Sequence, residues 1–243
     1  MSIFKDFTLD NYRRLIRIAK DNYEFVSFKK FKSASSNNLI VWRHDIDFST
    51  YYALKMAKID AAEGIDSTFF INMHSEFYNL FECEDSKNIN NIIKLNRNIG
   101  LHIDTHYYGI RTEKELNRCL KLEKAFIEKN FDTKIYCFSF HINDKNTMKF
   151  EKCSYGGLIN VYSSYYKKRV EYCSDSNGYW RYKRLEDVLT QSQSHRLQVL
   201  THDALWQEDV MSPKSRVYSV VDQRATRTKA YYDDLLRTWK SSK

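Results

Sequence analysis

Short runs of apolar, β-branched or aromatic residues alternate along this chain with longer stretches whose apolar positions recur every three or four residues. Residues 39–42 form one apolar run, which ends in the polar string Arg43-His44-Asp45-Ile46-Asp47. Residues 49–63 predict a helix, with Leu54, Ala57 and Ala61 on one face and Gly64 as its stop. Strands are predicted at 67–73, 100–103, 134–140, 157–162, 170–173 and 196–201. Helices are predicted at 89–98, at 112–130 behind a Thr112/Glu115 capping box, and at 184–192. Residues 212–239 predict an extended start followed by a terminal helix.

Repeated strand–helix alternation predicts an α/β fold with parallel strands and helices outside. About seven strands in 243 residues suit a distorted (β/α) barrel in one domain, 1–243, with a basic C-terminal segment, 212–243. No internal repeat or linker interrupts the pattern.

In such barrels chemistry gathers where strands end. Five of the seven histidines fall there: His44, His102, His106, His141 and His202, with Asp45, Asp47, Asp104, Asp175 and Asp203 beside them. His74 and His195 stand in no comparable polar cluster. A chain that turned helical after the third strand would put His102 and His106 on one side. Two imidazoles and a carboxylate from Asp45, Asp47 or Asp104 would make a divalent-metal set with open positions. Asp45 and Asp47, two apart on one strand end, share a face, so one could bind a cation while the other takes a proton. His202 could protonate a leaving group, with Asp175 orienting its ring.

Charge adds one clue and composition removes several classes. The net charge is +8, and eight Lys/Arg against three Asp place +5 of it in residues 212–243. A basic tail suits an anionic partner such as a phosphate-linked sugar, or only a solvated helix face. Six glycines and one proline exclude collagen-like or Pro/Gly-rich chains. No apolar stretch reaches membrane-spanning length, and residues 1–20 lack a signal-peptide core, so a cytoplasmic location is expected. The five cysteines have no CxxC spacing and are expected to be free thiols.

Taken in order, these strand ends resemble the polysaccharide deacetylases of the NodB-homology superfamily, over residues 39–206. The Arg43–Asp47 string looks like that family's first motif, and His102-Ile103-Asp104-Thr105-His106 like its HxxxH motif. Ser174-Asp175-Ser176-Asn177-Gly178-Tyr179-Trp180 resembles the Asp-plus-Trp motif, and Leu200-Thr201-His202-Asp203 the last one. The resemblance implies a distorted barrel that hydrolyses N- or O-acetyl groups on sugars with one divalent ion, most plausibly zinc. It implies Asp45 as catalytic base, Asp47, His102 and His106 as metal ligands, and His202 as acid with Asp175. His44, His141, Trp180, Arg181 and Trp206 become candidate substrate-binding residues, and Tyr107 and Tyr108 possible flat faces for a sugar ring. The RHDID string also resembles a subgroup tied to surface-polysaccharide synthesis. The chain departs from the family in one place: Ser139-Phe140-His141-Ile142-Asn143 replaces an Arg-x-Pro segment whose Arg steadies the catalytic Asp. His141, Arg43 and Arg181 are the candidates to substitute.

The expected activity is therefore cleavage of a non-peptide C–N amide bond in an acetylated sugar or glycan. The alternatives are an amidohydrolase on a non-sugar amide and an inactive barrel serving as a binding or scaffold protein. A nucleic-acid-binding role is suggested by Tyr218, Tyr231, Tyr232 and Trp239 among the basic tail residues, but it leaves the strand-end histidines without a task.

Overall fold

The computed structural model describes residues 3–36, 38–180, 182–191 and 194–241, with no side-chain placement for Ile3, Lys240 and Ser241. One mixed sheet forms the centre. Its strands are β1 (Glu24–Phe25), β2 (Leu39–Ile46), β3 (Ser67–Ile71), β4 (Asn98–Ile103), β5 (Ile135–Phe140), β6 (Ser154–Tyr155), β7 (Leu158–Asn160), β8 (Glu171–Ser174) and β9 (Arg196–His202). Their order is β6-β7-β5-β4-β3-β2-β9-β8, with β1 pairing β2 separately. Every pair is parallel except the β6–β7 hairpin. The expected α/β architecture is present, with nine strands where about seven were expected; β1 and β6, two residues each, are too short to leave a period in the sequence.

The helices are α1 (Leu9–Asn22), α2 (Thr50–Glu63), α3 (Cys83–Lys94), α4 (Glu113–Phe131), α5 (Ser164–Arg169), α6 (Leu185–Gln191) and α7 (Pro213–Ser241). Neighbouring contacts run α6–α1–α2–α3 around one side, and α4 packs on β4 and β5. Strands β2 and β3 are buried at every position, as parallel strands covered on both faces must be. The path ends at β6 and β8, and among the described residues no strand pairing joins those two ends. Side chains meet across that gap instead: the Tyr162 and Tyr172 rings lie 6.5 Å apart.

Local signals explain the element ends that aim the site. Ser49 caps α2 by accepting the Tyr52 N–H at 3.3 Å, and Gly64 ends it in the left-handed region at φ 70°. Both halves of the Thr112/Glu115 capping box form in front of α4. Helix α3 begins six residues before the predicted start. The segment predicted as an extended start and a helix is a single helix from Pro213, because proline suits a first turn. The basic segment is not uniformly a surface feature: Arg216 is fully buried, over the Phe7 ring, and donates to the Phe4 carbonyl at 2.8 Å. Of the other basic residues there, Arg224 pairs with Glu82 at 2.6 Å. All five cysteines are free. Among the described residues, no helix is long and apolar enough to cross a membrane.

Candidate functional site

Parallel pairing levels the strand ends. Asp45 on β2 pairs with His202 on β9. Alternation then sends Arg43, Asp45 and Asp47 to one face and His44 to the other. Arg43 and Asp45 are both buried, and the guanidinium grips the carboxylate with two bonds, Nε to Oδ1 at 3.1 Å and Nη2 to Oδ2 at 2.5 Å. Arg43 also reaches the Tyr162 hydroxyl at 3.2 Å and packs over the Phe70 and Tyr162 rings. Burial works against its charge, but Asp45 outweighs burial and holds the guanidinium firmly protonated. Of the two candidates to steady Asp45 that lie among the described residues, Arg43 and His141, Arg43 is thus the one bonded to it.

The loop after β2 is clamped from β9. Asp203 accepts the N–H groups of Asp47 at 3.0 Å and Phe48 at 3.2 Å, and also that of Ser49. Asp47 is therefore aimed by its neighbours and is not itself the cap of α2. Its Oδ1 lies 3.2 Å from His102 Nε2, and its Oδ2 lies 3.8 Å from His202 Nε2. His102 Nε2 is also 3.5 Å from Asp45 Oδ2. Burial alone would push the Asp47 carboxyl up; the imidazoles of His102, His202 and His141 prevail and hold it well below the usual carboxylate range.

His202 is held from behind. Its Nδ1 lies 2.5 Å from Asp175 Oδ1, and its backbone N–H donates to Oδ2 at 2.7 Å. Burial opposes the imidazolium, but Asp175, then Asp47 and Asp45, outweigh it and raise the imidazole to about 10.

Two buried polar atoms, Asp47 Oδ1 and His102 Nε2, have no hydrogen-bond partner among the described residues. His102 Nδ1 is 2.6 Å from Ser139 Oγ. A cation between Asp47 Oδ1 and His102 Nε2 would take the place of the Nε2 proton, with Nδ1 donating to Ser139 and the Nε2 lone pair turned to the ion. One carboxylate oxygen and one imidazole nitrogen supply two of the three protein donors that a catalytic zinc site uses. The expected third donor is elsewhere. His106 Nε2 lies 3.0 Å from Asp144 Oδ2, and its side chain is 45% exposed. The cause is local: Asp104 Oδ1 accepts the N–H groups of His106 and Tyr107 at 2.9 and 3.0 Å, so β4 leaves through a side-chain-bonded turn and not a helix. Among the described residues no group of three His, Cys, Asp or Glu side chains stands ready to hold a metal.

No family model and no curated protein matches the chain. Its structure is similar to those of family 4 carbohydrate esterases. One is a family 4 pseudoenzyme from Bacillus anthracis (TM-score 0.48, 12% identity, 78% of this chain and 62% of that one). Another is the peptidoglycan deacetylase PdaC from Bacillus subtilis (0.45, 14%, 84% and 98%). A third is the chitin deacetylase from the fungus Colletotrichum lindemuthianum (0.43, 12%, 78% and 83%). The chain spans less than two thirds of the pseudoenzyme's length.

The remaining candidates divide by position. His141, half-exposed at the β5 exit, bonds Asp104 at 3.2 Å and lines a cavity of about 390 Å³ in front of Asp47. His44 does not reach that cavity. Fully buried on the outer face of β2, it lies 2.9 Å from Asp60 Oδ2, 3.2 Å from the Tyr12 hydroxyl and 2.7 Å from Thr201 Oγ1. Trp206 is also fully buried and donates to Asp175 Oδ2 at 2.9 Å, which makes it a support for the His202–Asp175 pair and not a sugar platform. Trp180 stacks on Phe7 and donates to Asp6 at 3.0 Å, against the N-terminal turn. Arg181 lies outside the described residues. His74, which showed no polar cluster in the sequence, lines the cavity together with Asn72. Asn72 and Ser139 escaped notice because a single amide or hydroxyl at a strand end carries no motif; their level with Asp47 and His102 across the sheet is the signal that finds them.

Proposed function

We propose that this chain is a hydrolase that removes an N-acetyl group from an acetylated sugar or glycan. The observation that carries this reading is the convergence of Asp45, Asp47, His102 and His202 at the ends of β2, β4 and β9, where His102 lies 3.5 Å from Asp45 and 3.2 Å from Asp47, and Asp47 lies 3.8 Å from His202. Each has a dedicated neighbour: Arg43 for Asp45, Ser139 for His102, Asp175 for His202.

Asp47 and His102 would hold a divalent ion, with zinc favoured by the mixed oxygen and nitrogen donors. When bound, it supplies a Lewis acid that polarises the acetyl carbonyl and eases deprotonation of water. Asp45, fixed by Arg43, is the group that accepts the proton of the attacking water. His202, kept protonated by Asp175 through neutral pH, donates to the departing nitrogen. The paired roles follow from opposite environments, a carboxylate next to a guanidinium and an imidazole next to carboxylates.

A second reading is a barrel that binds the glycan without turnover. The turning of His106 toward Asp144 favours it. Acetate release from an N-acetylglucosamine tetramer, with zinc supplied, separates the two. The hydrolase reading expects release that falls on the order of 10²-fold in Asp45→Asn, the loss typical of a missing general base. It also expects His102→Ala to lose bound zinc while His106→Ala keeps it. Zinc-loaded protein that binds the tetramer and frees no acetate leaves only the second reading.

A further inference from the structure

Among the residues that line the cavity in front of Asp47 is one with a donor that no other described residue uses. On β2 and β3 the last paired residues are Ile46 and Ile71, and on β3 and β4 Ile71 pairs with Leu101. One step further along, Asp47, Asn72 and His102 stand level across three adjacent strand ends. Asn72 is 1% exposed, and its Oδ1 accepts the His74 N–H at 2.9 Å. That bond fixes which end of the amide is oxygen. The other end, Nδ2, is buried and has no hydrogen-bond partner among the described residues. A buried amide donor left unmet is costly, so such groups in native proteins have a partner or await one.

The same cavity also offers a flat apolar face. Tyr107 is 64% exposed, yet its ring lies parallel to that of His74, with centroids 3.6 Å apart and planes at 13°. His74 is braced in turn: its Nε2 lies 2.9 Å from the Tyr108 hydroxyl and 3.4 Å from Glu123 Oε1, which is buried in α4. An exposed ring on so fixed a base presents one face to the cavity at little entropic cost. Asn72, His74, Tyr107 and His141 all line this space beside Asp47.

The geometry points to a subsite for one acetamido-sugar ring, in which Tyr107 carries the ring's apolar face and Asn72 Nδ2 donates to the acetyl carbonyl oxygen. It rests on the deacetylase-type reading for its choice of substrate, and it names the group that distinguishes an acetylated sugar from a deacetylated one. Asn72 would thereby set specificity, since a site built to bond a polar group discriminates against the analogue lacking it.

Binding is measured by calorimetry with the whole chain, using the N-acetylglucosamine tetramer and the glucosamine tetramer as probes. Wild type is expected to favour the acetylated probe. Asn72→Asp keeps the oxygen that anchors His74 and removes the donor; Asn72→Ala removes both. Each should reduce the preference for the acetylated probe by roughly 3- to 10-fold, the worth of one neutral hydrogen bond. Tyr107→Ala should weaken both probes alike, by about 10-fold, while Tyr107→Trp retains binding. Melting curves confirm that each variant is folded, and a variant that fails to fold is replaced in the comparison by its partner at the same position. A preference unchanged in both Asn72 variants, equal binding by wild type and Tyr107→Ala, or wild type binding neither probe overturns the subsite. Acetate release is assayed in parallel. Binding with the expected variant pattern but no acetate sinks the hydrolase reading and leaves the subsite standing; acetate release with unchanged variant binding does the reverse.

Discussion

Arg43→Met strands the Asp45 carboxylate inside the barrel. In wild type the guanidinium makes two charge-assisted bonds to that carboxylate and one to Tyr162, and neither Arg43 nor Asp45 has appreciable exposure. Removing one partner from a buried, hydrogen-bonded ion pair costs about 3–5 kcal/mol, chiefly the desolvation left uncompensated on the survivor. Methionine fills comparable length against Phe70 and Tyr162, so a cavity adds little. The assay is urea unfolding of wild type, Arg43→Met, Asp45→Asn and the double variant at one pH. The single arginine variant should lose about 3 kcal/mol or more, and the double variant should recover much of that loss, because the stranded charge is gone. A loss under about 1 kcal/mol, the range of exposed pairs, would refute the reasoning. So would a double variant no more stable than Arg43→Met.

His202 gives a pH signature. Its folded-state value is raised from 6.5 to about 10, so the stability it confers is complete below about 6.5 and is lost as pH rises toward 10. In chelator-treated protein, wild type should lose more stability than Asp175→Asn between pH 6.5 and 10, and parallel profiles would contradict the pairing. His44→Ala should lower stability by about 2–4 kcal/mol by opening the network with Tyr12, Asp60 and Thr201. Its KM should stay at the wild-type value; a raised KM at full stability would restore a substrate role. Deleting residues 222–243, of which the side chains of 222–239 are largely exposed, should move the melting temperature by only about 3 °C or less, whereas a larger fall would reveal packing by the end of α7.

The strands and their polar ends were legible because parallel strands leave long apolar runs and charged exits. The pattern also contained more than was drawn from it. Strict alternation puts His44 on the face opposite Asp45, so its separation from the site follows from position alone. His106 was different. Whether four residues after His102 mean one helical turn depends on what the chain does at Asp104, and an Asp there competes for the backbone N–H groups. Arg216 shows the same limit for charge: counted in the basic tail, it spends its length over Phe7. Trp206 lies in the expected motif, but only the depth of the fold reveals that its indole supports Asp175 from below.

The seam between the two unjoined ends of the sheet, β6 and β8, has a bearing on motion. Strands β2, β3 and β4, which carry Asp45, Asn72 and His102, have hydrogen-bonded neighbours on both sides. Strand β8 has one only, β9. Local opening is therefore cheaper along the β8 edge than within β2 and β3, and the β8 amides should exchange with solvent well before those of β2 and β3. Such opening is not isolated from the chemistry. Arg43 bonds Tyr162 at the seam and Asp45 at the site with the same guanidinium. Breathing at the edge is thus transmitted inward through one side chain, and proton exchange at β8 becomes a remote gauge of how firmly Asp45 is held.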